Sequence, residues 1–294
     1  MSSQVEVGGA TAFSWMPEGD RIALATPDKI LYYDLGYTTI IDQIETTNPS
    51  LLSVSQNQET IAWVSDGNTV NVWKPETKGP GQSQFENPAP VTGLTISPKR
   101  NSLAFSIFDG TLKTWDTTNN VLIGQWQAPS WLSSLAYSPD SSRLGGADLE
   151  NFTVYIFNAV SGKIERSLKW SGTASPVLYG VYFSPNWRTL AWVARGEVQL
   201  MDLENGDLVP LLGHEDFVTA LAWSPDSRLL ATGSAATVEG GFAPVVQIWE
   251  AKSGQLLATL VQQVAVQSLS FSQDGTDLAI LDSNGQLGLW NSGK

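Results

Sequence analysis

Residues Leu221 to Ser234 have the sequence Leu-Ala-Trp-Ser-Pro-Asp-Ser-Arg-Leu-Leu-Ala-Thr-Gly-Ser, in which an aromatic residue and a Ser-Pro turn precede a Leu-Ala strand. Clear copies are Thr-Ile-Ser-Pro-Lys-Arg-Asn-Ser-Leu-Ala from Thr95 and Leu-Ala-Tyr-Ser-Pro-Asp-Ser-Ser-Arg-Leu from Leu135. The residue before each turn gives seven anchors, 39 to 48 residues apart: Met16, Ser55, Ser97, Ser138, Ser184, Ser224 and Ser272. This period predicts a repeated unit of about four short β-strands.

Each unit has a second landmark at the end of its third strand: Tyr33, Trp73, Trp115, Phe157, Met201, Trp249 and Trp290. The anchor lies 17 to 19 residues before the landmark in every unit except the sixth, where the distance is 25. A constant register with a terminal Trp-Asp is typical of propeller blades. The chain resembles the WD-repeat family over essentially its whole length, best at residues 212–226, where Gly213-His214 matches the family's Gly-His pair. The resemblance implies an all-β, seven-bladed β-propeller of four-stranded antiparallel blades.

The units are predicted at approximately 9–47, 48–88, 89–129, 130–174, 175–215, 216–263 and 264–294, within one domain spanning 1–294. The last unit supplies only three strands. Residues 4–7, Gln-Val-Glu-Val, alternate polar and apolar as a strand does and belong to no other unit. In the family the N-terminus commonly supplies the last outer strand, so residues 4–7 are expected to close the ring; the alternative is a frayed tail.

Composition limits the function classes. Sixteen basic and 29 acidic residues give a net charge of −13, which repels phosphate backbones and anionic membrane surfaces, so neither nucleic acid nor a membrane is an expected partner. No apolar run is long enough to span a bilayer, and the N-terminal residues do not resemble a signal peptide. The chain has no cysteine, which fits a reducing compartment, and a cytoplasmic location is expected.

The twelve tryptophans are mostly explained by the repeat. Trp126, for example, occupies the outer-strand position that other units fill with Ile44, Leu168, Leu212 and Leu260. In the family, a buried His, Ser/Thr, Asp and Trp form a hydrogen-bond network in each blade. Only the sixth unit keeps His214, Thr232 and Trp249, and it has Ala236 at the Asp position. The corresponding second-strand residues elsewhere are apolar, which predicts packing in place of the network: Leu24, Trp63, Phe105, Gly146, Trp192 and Ile280.

A candidate binding surface remains. Trp131 precedes the inner strand of the fourth unit, and Val177 and Phe217 hold the same position in the fifth and sixth. The resemblance implies that this position opens onto the upper face of the propeller near the central channel, where the sixth unit's extra loop would add Phe242. Trp170 is a further candidate, but it aligns with His214 and could instead fill that space. An apolar cluster of this kind suggests a contact with a protein or peptide, and the acidic chain favours a basic rim on that partner.

The sequence offers little for catalysis. With one histidine, no cysteine and no Gly-x-Ser-x-Gly elbow, no catalytic triad, metal site or cofactor site is predicted. Most carboxylates fall in predicted turns, where Asp satisfies local backbone donors. The expected function is therefore a non-enzymatic interaction scaffold, acting as a monomer or as a subunit of a larger complex. The alternatives are a propeller enzyme or small-ligand binder that uses carboxylates at the channel mouth, and a propeller module of a larger signalling or assembly protein.

Overall fold

The structure, a computed structural model, describes residues 3–6, 9–16, 21–36, 39–55, 60–75, 82–170, 178–194, 197–214, 217–235 and 243–291. All regular secondary structure in these ranges is β-strand, and the strands form seven four-stranded sheets. No helix in these ranges is long and apolar enough to cross a membrane. The chain divides into two compact units, residues 1–20 with 175–294 and residues 21–174.

The strands of residues 21–174 are β3 (Arg21–Thr26), β4 (Lys29–Asp34), β5 (Thr39–Glu45), β6 (Ser50–Val54), β7 (Ile61–Ser65), β8 (Thr69–Trp73), β9 (Gln82–Glu86), β10 (Val91–Ile96), β11 (Ser102–Ile107), β12 (Thr111–Asp116), β13 (Val121–Gln127), β14 (Ser133–Tyr137), β15 (Arg143–Asp148), β16 (Thr153–Asn158) and β17 (Ile164–Lys169). Three complete sheets have the orders β6-β7-β8-β9, β10-β11-β12-β13 and β14-β15-β16-β17, each an antiparallel meander.

The strands of the other unit are β1 (Ser3–Glu6), β2 (Ala12–Trp15), β18 (Leu178–Phe183), β19 (Thr189–Ala194), β20 (Glu197–Asp202), β21 (Leu208–Leu211), β22 (Val218–Trp223), β23 (Leu229–Ser234), β24 (Val245–Glu250), β25 (Leu256–Val261), β26 (Val266–Phe271), β27 (Asp277–Asp282) and β28 (Gln286–Asn291). Its complete sheets are β18-β19-β20-β21, β22-β23-β24-β25 and β1-β28-β27-β26. In the last of these, β1 pairs antiparallel with β28, from Ser3 opposite Leu289 to Glu6 opposite Gln286. The N-terminal segment is therefore the outer strand of the last sheet, as predicted.

Three of the turns between the first and second strands share one hydrogen-bond arrangement, those of Ser138, Ser224 and Ser272. The Ser224 hydroxyl donates to the Asp226 carboxylate at 2.7 Å and accepts the Leu229 N–H at 2.9 Å. Ser138 and Ser272 make the same two bonds in their own turns, each with the aspartate two residues later. The hydroxyl thus satisfies the N–H at which the second strand begins, which explains why the turn repeats with so little variation.

The core lies between neighbouring sheets within each unit. One cluster combines Val64, Val70 and Val72 of the β6–β9 sheet with Leu94 and Phe105 of the next sheet, and three equivalent clusters join further neighbouring sheets. The apolar residues predicted to replace the hydrogen-bond network are buried: Leu24, Trp63, Phe105, Gly146, Trp192 and Ile280. Replacing a buried tryptophan such as Trp63 by alanine would lower the free energy of unfolding by about 3 to 5 kcal/mol. Apolar packing therefore provides the stability that the hydrogen-bond network would otherwise contribute.

One predicted equivalence is wrong. Leu211, and not Leu212, holds the position of Trp126: Leu211 lies opposite Val198 in the register and is buried, whereas Leu212 is 77% exposed. The cause is a β-bulge. The strand of Trp126 has one extra residue between Leu122 and Gly124, but the short strand β21 pairs without a bulge and reaches the same position one residue earlier.

Candidate interaction site

The most exposed aromatic surface described in residues 21–174 is formed by Phe108 and Trp131. Their rings stack with centroids 5.7 Å apart and an angle of 26° between the planes. Phe108 is 56% exposed and Trp131 is half-buried. We call these two residues the aromatic pair. Because the stack covers one side of each ring and leaves much of Phe108 in water, it presents a rigid apolar platform.

Hydrogen bonds to the backbone hold Phe108 and Leu132, the residue that follows Trp131. The Phe108 N–H donates to the Pro90 carbonyl at 2.8 Å. Next to Trp131, the Leu132 carbonyl accepts two hydroxyl groups, from Thr92 at 2.6 Å and from Ser106 at 2.7 Å. Leu132 itself is fully buried. The position of Trp131 is therefore set by the buried strand start that follows it, so little conformational entropy would be lost when a partner binds.

An ionised carboxylate lies beside the aromatic pair. Asp109 follows Phe108 directly, is exposed, and accepts the Thr111 N–H at 2.8 Å. Hydrogen bonds from the Thr111 side chain and backbone lower the pKa of Asp109 below its usual value. A negative charge next to an aromatic face favours a cationic group on the binding partner.

The structure places the other predicted site residues as follows. Phe217 is half-buried at the start of β22, where its carbonyl accepts the Ala235 N–H at 3.1 Å, and it belongs to the other unit of the chain. Trp170 is only 8% exposed, a burial that fits the alternative in which it fills space. Val177 and Phe242 lie outside the described residues. The participation of all these residues in partner binding stays a prediction.

Phe108 is absent from the set of residues predicted from the sequence. It lies in the turn between the second and third strands of its sheet, where the corresponding residues include Pro27, Asp66 and Ser283, but also Leu149. Because the fourth unit also has a large apolar residue at this position, the repeat pattern gives no signal that identifies Phe108.

The only histidine takes part in a buried polar network, as predicted for the sixth unit. His214 Nε2 lies 3.0 Å from Thr232 Oγ1, which accepts the Trp249 indole N–H at 2.9 Å. His214 Nδ1 lies 3.3 Å from the Leu211 carbonyl, and the imidazole stacks on Trp249 with centroids 4.8 Å apart. Burial lowers the pKa of His214 to about 4. The imidazole is therefore neutral at pH 7 and fixed in the packing between strands.

Several of the described carboxylates accept hydrogen bonds within turns. Ser138 and Ser142 donate to Asp140, and the Ser138 hydroxyl contributes most to lowering the pKa of Asp140 to about 2. Asp148 is buried and accepts the Asn151 N–H at 2.9 Å. Within the described ranges, no group of three or more His, Cys, Asp or Glu side chains is arranged to hold a metal ion.

Comparison with known proteins agrees with this geometry. Residues 206–238, which include His214 and Thr232, match the family model "WD domain, G-beta repeat". The crystal structure of the Myceliophteria thermophila Cps50 (Swd1) β-propeller domain superposes with a TM-score of 0.82, covering 99% of this chain and 98% of that one at 17% identity. The resemblance to the WD-repeat family is confirmed. The chain has the predicted fold, a seven-bladed β-propeller of four-stranded antiparallel blades closed by its N-terminal strand.

Proteins related in sequence share about a quarter of their aligned residues with this chain. The COMPASS component SWD3 of Saccharomyces cerevisiae is 25% identical over 299 residues, covering 96% of this chain and 81% of SWD3. The transcriptional corepressor LEUNIG_HOMOLOG of Arabidopsis thaliana is 24% identical over 248 residues, and the Periodic tryptophan protein 2 of the same plant is 26% identical over 213 residues. These matches cover 82% and 71% of the propeller but only 29% and 23% of the respective relatives.

Proposed function

We propose that this propeller is a non-enzymatic scaffold that binds a partner protein or peptide through the aromatic pair. The observation that carries the proposal is Phe108, which is 56% exposed and stacked on Trp131. A partner that covers this platform would remove apolar surface from water, and aromatic residues of this kind dominate many protein interfaces. Asp109 beside it favours a partner with a basic rim.

Two further observations support a scaffold over an enzyme or small-ligand binder. The carboxylates of Asp140, Asp226 and Asp274 each accept hydrogen bonds within their own turns. The single imidazole is packed against Trp249 and neutral at pH 7. The names of two relatives, a COMPASS component and a transcriptional corepressor, also fit a role in protein assemblies.

We further infer that the protein is a monomer or one subunit of a larger complex. The net charge of −13 supports the exclusion of nucleic acid and membrane surfaces as direct partners. The lack of cysteine fits the proposed cytoplasmic location, which imaging of a fluorescent fusion would test.

Affinity purification with variants of the aromatic pair tests the function. The immobilised wild-type chain, Phe108→Ala and Trp131→Ala are compared by quantitative mass spectrometry, with Val160→Ala, exposed at 65%, as a surface control. Loss of a hot-spot aromatic costs about 2 kcal/mol or more of binding energy, so partner recovery should fall strongly for both aromatic variants and not for the control. Equal recovery with all four proteins would contradict the proposal. So would substrate turnover that a single carboxylate substitution abolishes.

A further inference from the structure

The outer strands of the sheets differ in how their free edge is protected. An outer strand exposes backbone N–H and C=O groups to which another chain can pair, and proteins usually block such edges with charged residues or proline. Five outer strands follow this rule, through Glu6 in β1, Asp42 and Glu45 in β5, Glu86 in β9, Glu165, Arg166 and Lys169 in β17, and Pro210 in β21. Strands β13 and β25 contain neither a charged residue nor proline.

Strand β13 also presents apolar side chains to water. Val121, Leu122 and Ile123 are 47%, 44% and 57% exposed. Ile123 is the bulged residue, which leaves Gly124 to Gln127 in regular register with β12. In the described sheet β13 has β12 as its one neighbour, so alternate backbone groups of this regular stretch face away from the sheet.

Each end of β13 lies near an ionised carboxylate. Asp116 is opposite Val121 in the register and accepts the Thr118 and Asn119 N–H groups at 2.7 and 2.9 Å. At the other end the Gln127 side chain donates to the Asp109 carbonyl at 2.9 Å. Hydrogen bonds, from Asn119 in the first case and Thr111 in the second, lower the pKa of both aspartates. The outer edge is therefore apolar in its first half, at Val121 to Ile123, and a carboxylate lies near each end on the β12 side.

We propose that the outer edge of β13 binds an extended segment of a partner protein, about six residues long, with small apolar residues opposite Val121 to Ile123 and lysine or arginine at its ends. The segment would add a fifth strand to the sheet. Backbone hydrogen bonds to the free edge would hold it, Ile123 would pack against its apolar residues, and the carboxylates of Asp109 and Asp116 would attract its end charges. This proposal does not depend on binding at the aromatic pair, although Asp109 lies next to both sites.

A second copy of the chain fits this edge less well. Two copies that each carry a net charge of −13 repel one another. Moreover, β13 exposes five side chains, Val121, Leu122, Ile123, Gln125 and Gln127, whereas a stable interface uses about 20 residues or more on each side. A short basic-ended segment matches both the charge and the size of the edge.

Synthetic peptides provide the test. A fluorescein-labelled peptide Lys-Thr-Val-Thr-Val-Thr-Lys is titrated with the whole protein and binding is followed by fluorescence anisotropy. We expect saturable binding that is at least about tenfold weaker for the same peptide with glutamate at both ends.

Backbone N-methylation of the peptide distinguishes strand pairing from other contacts. In a paired strand, every second N–H group points toward β13. Methylation of these N–H groups should abolish binding, and methylation of the N–H groups that point away should leave binding intact.

Protein variants locate the site. Ile123→Lys should weaken binding of the lysine-ended peptide at least about tenfold, because it places a charge on the edge. Leu257→Lys is the matched control: Leu257 is the bulged residue of β25 and is 52% exposed, and this substitution should leave binding unchanged. No saturable binding at millimolar peptide, equal loss with both methylation patterns, or equal loss with both variants would each overturn the proposal. Dimerisation of the wild type that Ile123→Lys abolishes, measured by sedimentation equilibrium, would instead identify a second copy as the occupant and overturn it as well.

Discussion

Acidification between pH 7 and pH 5 should destabilise this protein through one residue, His214. The neutral imidazole satisfies its surroundings when Nδ1–H donates to the Leu211 carbonyl and Nε2 accepts the Thr232 hydroxyl. Thr232 in turn accepts the Trp249 indole N–H at 2.9 Å. A protonated imidazole would have a second N–H aimed at Thr232 and would carry a charge in a largely desolvated position. Folding therefore disfavours the proton.

The sign and size of the change in the free energy of unfolding follow from the pKa of His214 in the folded and the unfolded protein. The folded protein holds the pKa of His214 at about 4, against an ordinary value of 6.5. Below pH 6.5 the unfolded chain binds a proton that the folded chain does not, so the free energy of unfolding falls as the pH decreases toward about 4. Each pKa unit corresponds to about 1.4 kcal/mol, which gives a loss of about 2 kcal/mol at pH 5 relative to pH 7. The turn aspartates with lowered pKa values, such as Asp140, lose their contribution only as the pH falls below about 4.

Urea unfolding at pH 7, 6 and 5 measures this effect, with His214→Gln as the control variant. The wild type should lose stability over this range, and the variant, although less stable at pH 7, should lose much less. Because the chain has a single histidine, NMR can follow its imidazole directly, and the resonance should remain that of the neutral ring at pH 5. A midpoint near pH 6.5, or equal pH dependence in both proteins, would refute the reasoning.

Two further predictions concern stability. Gly162 and Gly206 occupy equivalent turns with φ of 68° and 82°, but a Cβ at Gly162 would lie 2.0 Å from Trp126, whereas a Cβ at Gly206 meets nothing within 4 Å. Alanine should therefore cost about 1 kcal/mol of backbone strain at Gly206 and about 2 kcal/mol more at Gly162, measured by urea unfolding; equal losses would contradict the packing argument. Deletion of residues 1–8 removes β1 and exposes the β28 edge, so the melting temperature should fall, and an unchanged value would show that this pairing adds no stability.

The sequence was sufficient to predict the blade strands because each landmark is repeated in every unit. Trp115, Phe157 and Trp249, for example, all lie opposite a leucine of the second strand. The sequence-based predictions were wrong or incomplete at positions that the repeat constrains least. The missing bulge in β21 moved Leu211 into the position assigned to Leu212, and a bulge depends on tertiary packing more than on local sequence. Phe108 was missed because a solvent-exposed turn residue follows no periodic pattern.

The distribution of polar and apolar cores also explains why the family model matches so little of the chain. The match covers residues 206–238, and this is the stretch that retains Gly213, His214 and Thr232. In the second and fifth units, Trp63 and Trp192 fill the position of Thr232 and are completely buried. Apolar packing tolerates many residue types of similar volume, whereas a hydrogen-bond network requires particular ones. Six sheets could therefore keep the fold without the residues that characterise the family. The family model matches the stretch that retains the polar network, and the match does not show how far the propeller extends.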